Sequence, residues 1–337
     1  MTFDFGDLEY PVVVAPMAGG PSTPQLAAAG ASAGGLGFVP AGYLAVEVFA
    51  ERLGAAQRLT SGPVGANLFV PQPSAAVPDA IARYADTLSR DAQRYGITLG
   101  EPRFDDDGWA GKLDVLLDLK PAVASFTFGL PTAVEIQRLR AAGIATVATV
   151  TTVAEAQQAV ARGVDTVAAQ GPAAGGHRGT FDPAALPSDV PLDTLLASLI
   201  ASVDVPVVAA GGLMTAEDVA RVRRAGAVAA QLGTAFLLAD EAGSSAVHRA
   251  ALQDEAFTET AVTKAFSGRY ARGLHNRFID EHDAEAPFGY PEVHYLTSPL
   301  RAAAVRAGDP QGVNVWAGTG FREARTGSVA DIMHTLA

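Results

Sequence analysis

The 337-residue chain contains no cysteine. Disulfides, thiolate metal sites, iron–sulfur clusters and cysteine nucleophiles are therefore all excluded. Positive charge is scarce: 24 Lys and Arg stand against 36 Asp and Glu, a net charge of −12. No basic stripe can dominate such a field, which excludes nucleic acid as the partner. No apolar run approaches the roughly 20 residues that a membrane-spanning helix needs. Residues 1–10 mix Asp4, Asp7 and Glu9 with aromatics and do not read as a signal peptide. Histidine is thinly spread, and His177 is the first of the six. What remains is 49% hydrophobic and 18% charged, the balance of a chain with a large packed core. The default expectation is a cytoplasmic enzyme.

One stretch organises the rest, Asp165-Thr-Val-Ala-Ala-Gln-Gly-Pro-Ala-Ala-Gly-Gly-His-Arg-Gly179. Thr166–Ala169 has the apolar run of a buried parallel strand. It opens into a loop with glycines at 171, 175, 176 and 179, where backbone can approach a ligand closely, and His177 sits within it. A strand whose C-terminal end gives way to such a loop is where α/β enzymes place their chemistry.

Seven further runs have the same strand character: Val12–Met17, Leu36–Ala41, Val64–Val70, Ala122–Phe128, Ala145–Val150, Val205–Ala210 and Ala227–Leu232. Helical patterns separate them, among them Ala133–Ala142, Val153–Arg162 and Ala216–Ala225. In the last, Thr215 is placed to cap the start and Gly226 to stop the end. Eight strands alternating with helices predict a parallel sheet. That count favours closure into a (β/α)8 TIM barrel over an open, doubly wound sheet. Residues 1–240 form this barrel, with an extended connection at 71–120 suited to a lid, including a polar helix over Asp79–Tyr95. Residues 241–310 read as a smaller, mainly helical domain on the substrate side, and 311–337 as a loop and helix packing back on the barrel.

The seventh barrel strand ends in Ala209-Ala-Gly-Gly-Leu213 and the eighth in Gln231-Leu-Gly-Thr-Ala235. Loops at these two positions of a barrel commonly hold a phosphate on backbone N–H groups. Gly211, Gly212 and Gly233 admit the phosphate, and Thr234 adds a hydroxyl. No Walker-type lysine accompanies them, which points to the phosphate tail of a cofactor. Ala15-Pro-Met17, Asn67 and Gln170 offer backbone or carboxamide groups to an aromatic heterocycle. Tyr290 and Tyr295 read first as packing residues and second as substrate-side groups.

Other patterns fail on context. Gly30-Ala-Ser-Ala-Gly34 matches a nucleophile elbow but follows a helix and precedes a strand. Gly318-Thr-Gly320 lacks a third glycine, and Glu281-His-Asp283 lacks metal-ligand spacing, so no metal is expected. Arg269, Arg272 and Arg277 could attract an anion, yet ion pairs with the acidic 280–285 stretch are the plainer expectation.

With these residues in view, the chain resembles the FMN-dependent nitronate monooxygenases, once called 2-nitropropane dioxygenases, and especially the class acting on propionate 3-nitronate. The resemblance runs through Ala15-Pro-Met-Ala-Gly-Gly20, Val64-Gly-Ala-Asn-Leu-Phe69, Ser125-Phe-Thr-Phe-Gly129 and Ala169–Gly179. It continues through Ala210-Gly-Gly-Leu-Met214, Gln231–Phe236, Phe266-Ser-Gly-Arg269 and Trp316-Ala-Gly318. It implies non-covalent FMN bound by Asn67, Gln170, Gly175, Gly212, Gln231, Gly233 and Thr234, with His177 as the active-site histidine. Ala15, Met17 and Gly211 join the cofactor set from the strand-end reading. Pro172-Ala173 and Thr127 depart from the family pattern, and Thr127 bears on substrate preference. The implied reaction takes an alkyl nitronate or nitroalkane with O2 to a carbonyl compound and nitrite. His177 would act either as a hydrogen-bond donor or as a base. An FMN-dependent NAD(P)H reductase, acting on enoyl thioesters or quinones, is the alternative. The sequence carries no signal of oligomeric state.

Overall fold

A computed structural model describes residues 3–336. Eight parallel strands close into a barrel: β1 (Val12–Val14), β2 (Leu36–Pro40), β3 (Val64–Phe69), β4 (Val123–Thr127), β5 (Ala145–Val150), β6 (Thr166–Gln170), β8 (Val207–Ala210) and β9 (Ala229–Leu232). Closure is made by β1 against β9, with Val13 opposite Gln231 and Val14 opposite Leu232. Each strand is apolar on both faces because one face fills the barrel and the other packs under the helices. Val13, Phe38, Val147, Ala168 and Val208 share the interior cluster, which Phe5 from the N-terminal turn joins. Their strand neighbours Val12, Val14, Val167 and Ala209 pack outward with Leu196, Leu199 and Val222.

The crossover helices end where local chemistry dictates. Thr132 with Glu135 and Thr215 with Asp218 form reciprocal capping boxes at the starts of Ala133–Ala141 and Ala216–Arg224. One contact could not tolerate a side chain: a Cβ on Gly37 of β2 would lie 2.0 Å from the carbonyl oxygen of Ala27, on the helix that crosses it.

After β9 the chain leaves the barrel and returns only at its last helix, Val329–Leu336. This helix contributes Val329, Ile332 and Met333 to the barrel's outer core and so completes the ring of helices. Between these points lies the second lobe. Its principal helices are Ala246–Gln253, Arg277–His282 and Glu292–Ala307.

Two features of this lobe differ from the sequence expectation. First, it also carries an antiparallel hairpin, β10 (Thr260–Thr263) and β11 (Ala271–Leu274), to which β7 (Gly176–His177) adds as a third strand. The His177 loop is thus held as an edge strand, a pairing that two residues cannot announce in a local pattern. Second, the polar helix expected over 79–95 is two helices, Pro78–Thr87 and Ser89–Tyr95. Ile81, Tyr84 and Leu88 pack with Phe266, Phe278 and Leu296, so this part of the connection shares its core with the second lobe. Among the described residues, no helix is long and apolar enough to cross a membrane.

Candidate active site

A cavity of about 620 Å3 opens at the C-terminal ends of the barrel strands, between the barrel and the second lobe. Ala15, Met17, Asn67, Thr127, Gln170, Gly175, His177, Gly211, Gly212, Gln231, Gly233 and Thr234 all line it. Of the residues singled out from the sequence, the two tyrosines do not. Tyr295 points away, its hydroxyl donating to Asp105 and its ring covered by the Arg103 guanidinium. Tyr290 stands behind the wall, packed edge-on against His177 and Phe128, with its hydroxyl donating to that of Tyr43. Tyr290 precedes the helix Glu292–Ala307, and Tyr295 lies on a face of that helix turned away from the cavity, so the packing reading of both tyrosines fits the structure better than the substrate-side one.

The polar groups divide into those already committed and those left open. Gln170 staples its own loop: Nε2 donates to the His177 carbonyl at 3.0 Å, and Oε1 accepts from the Gly179 N–H at 2.8 Å. Backbone N–H groups of Ala15 and Met17 are taken by the Leu232 carbonyl and the Ser22 hydroxyl. These two N–H groups are therefore not free donors, although both residues line the cavity. Asn67 spends Nδ2 on the hydroxyls of Ser125 and Thr127, at 2.9 and 3.1 Å, and among the described residues no donor meets its Oδ1. Thr127 thereby orients Asn67. The Gln231 carboxamide and the N–H groups of Gly212 and Gly233 make no hydrogen bond among the described residues. Thr234 Oγ1 accepts from Gly318 N–H at 2.9 Å and keeps its proton to donate.

The glycines also separate. Gly211 and Gly212 have φ of +106° and +75°, and a Cβ on Gly212 would lie 2.7 Å from that of Ala173. A Cβ on Gly175 would lie 2.5 Å from Gly318 N. These glycines are required by the packing of their own loops. Gly233 has an ordinary φ of −110°, and a Cβ there would meet Ala15 and Met17 at 3.5 Å, an ordinary contact distance, so of these four glycines it alone is held neither by strain nor by a clash.

His177 is ringed by Phe128, Tyr290 and Trp316, with centroids 5.6 to 5.7 Å distant. Burial, and then the charges of Arg269 and Arg301, push its pKa down to about 3, so the imidazole is neutral. Nε2 lies 2.8 Å from the Ser267 hydroxyl, which donates its single proton to the Arg269 carbonyl at 3.2 Å. In the tautomer that lets Ser267 donate to that carbonyl, Nε2–H donates to Ser267 and the lone pair sits on Nδ1. That nitrogen has no partner among the described residues.

Several cavity residues were absent from the sequence-derived site. Tyr43 stacks flat on His294 at 4.2 Å, and His294 accepts from Arg301. His248, Ser267, Asn314 and Trp316 line the same space. One signal was present: His294, Ser298 and Arg301 recur at i, i+4 and i+7, a polar stripe along one face of the helix Glu292–Ala307. The three arginines weighed from the sequence are all engaged. Arg277 pairs with Asp91 and Glu281, Arg272 donates to the Pro172 carbonyl and Thr260, and Arg269 donates to Gln72 and Thr180. Asp91, Glu281 and His282 approach one another closely, but Arg277 fills the role a cation would have there.

A family model described as nitronate monooxygenase matches residues 3–337. A Staphylococcus aureus protein named probable nitronate monooxygenase is 35% identical over 336 residues, spanning 98% of this chain and 94% of its own. The structure of nitroalkane oxidase from Streptomyces ansochromogenes superposes with a TM-score of 0.94 at 47% identity, over 98% of this chain and 96% of that one. FabK from Thermotoga maritima superposes with a TM-score of 0.76 at 23% identity, covering 98% and 92%, and so shares the fold.

Proposed function

The chain belongs to the nitronate monooxygenase family of flavin-dependent oxidoreductases, and we propose that it binds FMN and oxidises alkyl nitronates, and neutral nitroalkanes after deprotonation, with O2. The residues present fit that cofactor. Free N–H groups at Gly212 and Gly233 beside the Thr234 hydroxyl suit one terminal phosphate, and the space above Gly233 is what a Cβ would occupy. Asn67 Oδ1 and the Gln231 carboxamide suit the polar edge of an isoalloxazine ring, while Ala15, Met17, Gly175 and Gly211 shape the wall. Gln170 contributes by fixing the loop that carries His177.

When bound, the flavin supplies the electron-transfer chemistry that takes a nitronate to a carbonyl compound and nitrite. The chain's own residues prepare the substrate. The observation that carries this reading is a neutral His177 lying 2.8 Å from the Ser267 hydroxyl, a contact that takes Nε2–H in the tautomer with its lone pair on Nδ1. Nδ1 can then take the α-proton of a nitroalkane. As negative charge develops on the nitro oxygens, it offsets the field of Arg269 and Arg301 that holds the imidazole neutral, and proton transfer becomes more favourable. A preformed nitronate bypasses this step. Phe128, Tyr290 and Trp316 exclude water around the reacting carbon.

Oxygen uptake and nitrite release are expected with ethyl nitronate and with nitroethane in the absence of NAD(P)H. Heat release should yield FMN. Anaerobic bleaching by NADPH without nitrite formation in air would overturn the assignment in favour of a reductase, and recovery of FAD would overturn the choice of cofactor.

A further inference from the structure

Two bulky residues at the cavity hold a left-handed backbone, which large side chains disfavour. Tyr43, just after β2, has a φ of +68°, and Phe128, just after β4, has a φ of +80°. Both line the cavity together with Phe69, the last residue of β3. The same three residues line a separate cleft of about 30 Å3, whose other walls include Phe104, Asp105 and Tyr295. They therefore form a partition between the two spaces. Within it, Phe69 packs on Phe128 at 4.7 Å and edge-on against Tyr43 at 5.5 Å. Phe128 meets the His177 ring at 5.7 Å, so the partition begins beside the base and ends at Tyr43.

Tyr43 is fixed from three sides. Its ring lies flat on His294 at 4.2 Å, its hydroxyl accepts from Tyr290 at 3.2 Å, and its N–H donates to Asp107 Oδ1 at 2.9 Å. Asp107 comes from the 71–120 connection and has a left-handed φ of its own, +57°. Its Oδ2 pairs with Lys112 Nζ at 2.7 Å, and the same Nζ donates to the Ala41 carbonyl at 2.9 Å. Lys112 is 1% exposed, and a charge so deeply buried persists only when paired and hydrogen-bonded. Here both members of the pair grip the backbone of one short turn, Ala41–Tyr43, whose last residue carries its ring to the cavity.

We propose that Tyr43 limits the length of the carbon chain the site accepts, and that Asp107, anchored by Lys112, is the positioning residue that holds it in place. This rests on the nitronate-oxidising reading above. With the reacting carbon at His177, an unbranched alkyl chain has Phe128 and Phe69 beside it and meets Tyr43 where the partition ends. Short chains are buried against these rings, whereas a longer one must displace a ring that three contacts hold. Without that ring the cavity opens toward the outer cleft, and each further methylene gains burial instead of a clash.

The test compares hexyl nitronate with ethyl nitronate on holoenzymes of equal flavin content. Tyr43→Gly removes the ring and suits the left-handed backbone, so the loop should fold without strain. The hexyl-to-ethyl ratio of kcat/KM is expected to rise about tenfold in Tyr43→Gly, chiefly through KM for hexyl nitronate, and to stay at the wild-type value in Tyr43→Phe. Asp107→Ala should raise the ratio in the same direction. Asp107→Asn, whose carboxamide oxygen can still accept from Tyr43 N–H, should bring it back. Heptanoate, an unreactive anion of matching skeleton, should perturb the flavin absorbance at lower concentration in Tyr43→Gly than in wild type. An unchanged ratio in Tyr43→Gly overturns the proposal, whether total activity is retained or lost. A rise there with none in Asp107→Ala, or one that Asp107→Asn does not reverse, overturns the role of Asp107. Failure of wild type on both nitronates would instead overturn the reading on which the proposal rests, and the heptanoate titration would still decide the role of Tyr43.

Discussion

At the scale of single residues, the chemistry depends on where one proton sits. A serine hydroxyl has one hydrogen, and that of Ser267 lies within reach of the Arg269 carbonyl. The consequence passes to His177, whose Nε2 becomes the donor and whose Nδ1 keeps the lone pair. Ser267→Ala removes this orientation without touching the cavity's charge. Turnover of nitroethane is expected to fall roughly 10- to 100-fold, as when an orienting hydrogen bond to a working histidine is lost. Turnover of preformed ethyl nitronate should fall less, because no proton is taken. The comparison is a measurement of kcat on both substrates at equal flavin content, and equal losses would show that Ser267 serves packing alone. His177→Gln should follow the same order with a larger loss on nitroethane, about 10²- to 10⁴-fold.

At the scale of elements, the loops after β8 and β9 look alike in sequence but differ in what their glycines do. Gly212 combines a φ of +75° with a clash against Ala173, so Gly212→Val would strain the loop as well as obstruct a ligand. Gly233 has neither constraint. Gly233→Val is therefore the discriminating variant: unfolding temperature without cofactor should stay within about 2 °C of wild type, while FMN affinity falls at least tenfold. Undiminished affinity in a fluorescence titration would place the phosphate elsewhere. The barrel itself was legible from sequence because a strand buried on both faces must be a continuous apolar run, and capped helices must separate such runs. Thr215 and Gly226 marked their helix for the same local reason. What escaped notice was tertiary. β7 exists only because β11 lies beside it, and Ser267 approaches His177 only through that sheet. The sequence named Tyr295 for the site, but the neighbouring face of the same helix presents His294 and, two turns on, Arg301 to the cavity instead.

At the scale of the whole molecule, three histidines with lowered pKa values tie stability to pH. Burial lowers the pKa of His177 to about 3 and of His248 to about 4, and burial with the Arg301 charge holds His294 well below its usual range. An unfolded chain protonates such groups near pH 6.5. Between that value and their folded pKa values the unfolded state binds more protons, so stability rises with pH there and is lost on acidification. Each group contributes a slope of about 1.4 kcal/mol per pH unit within its window. Carboxylates with lowered pKa values, such as Asp91, Glu135 and Asp218, add their loss below the usual carboxylate range, which puts the first part of the decline on the histidines. His248 isolates the effect best, since the one hydrogen bond of its ring among the described residues is Nε2 to the Trp316 carbonyl, 3.1 Å away. His248→Gln can still donate there but does not titrate. Chemical denaturation of the cofactor-free protein at intervals from pH 7.5 to 4.5 should show a shallower decline for this variant than for wild type. The difference should approach one proton's worth of slope below pH 6. Parallel curves would mean that His248 is protonated in the folded state as readily as in the unfolded one.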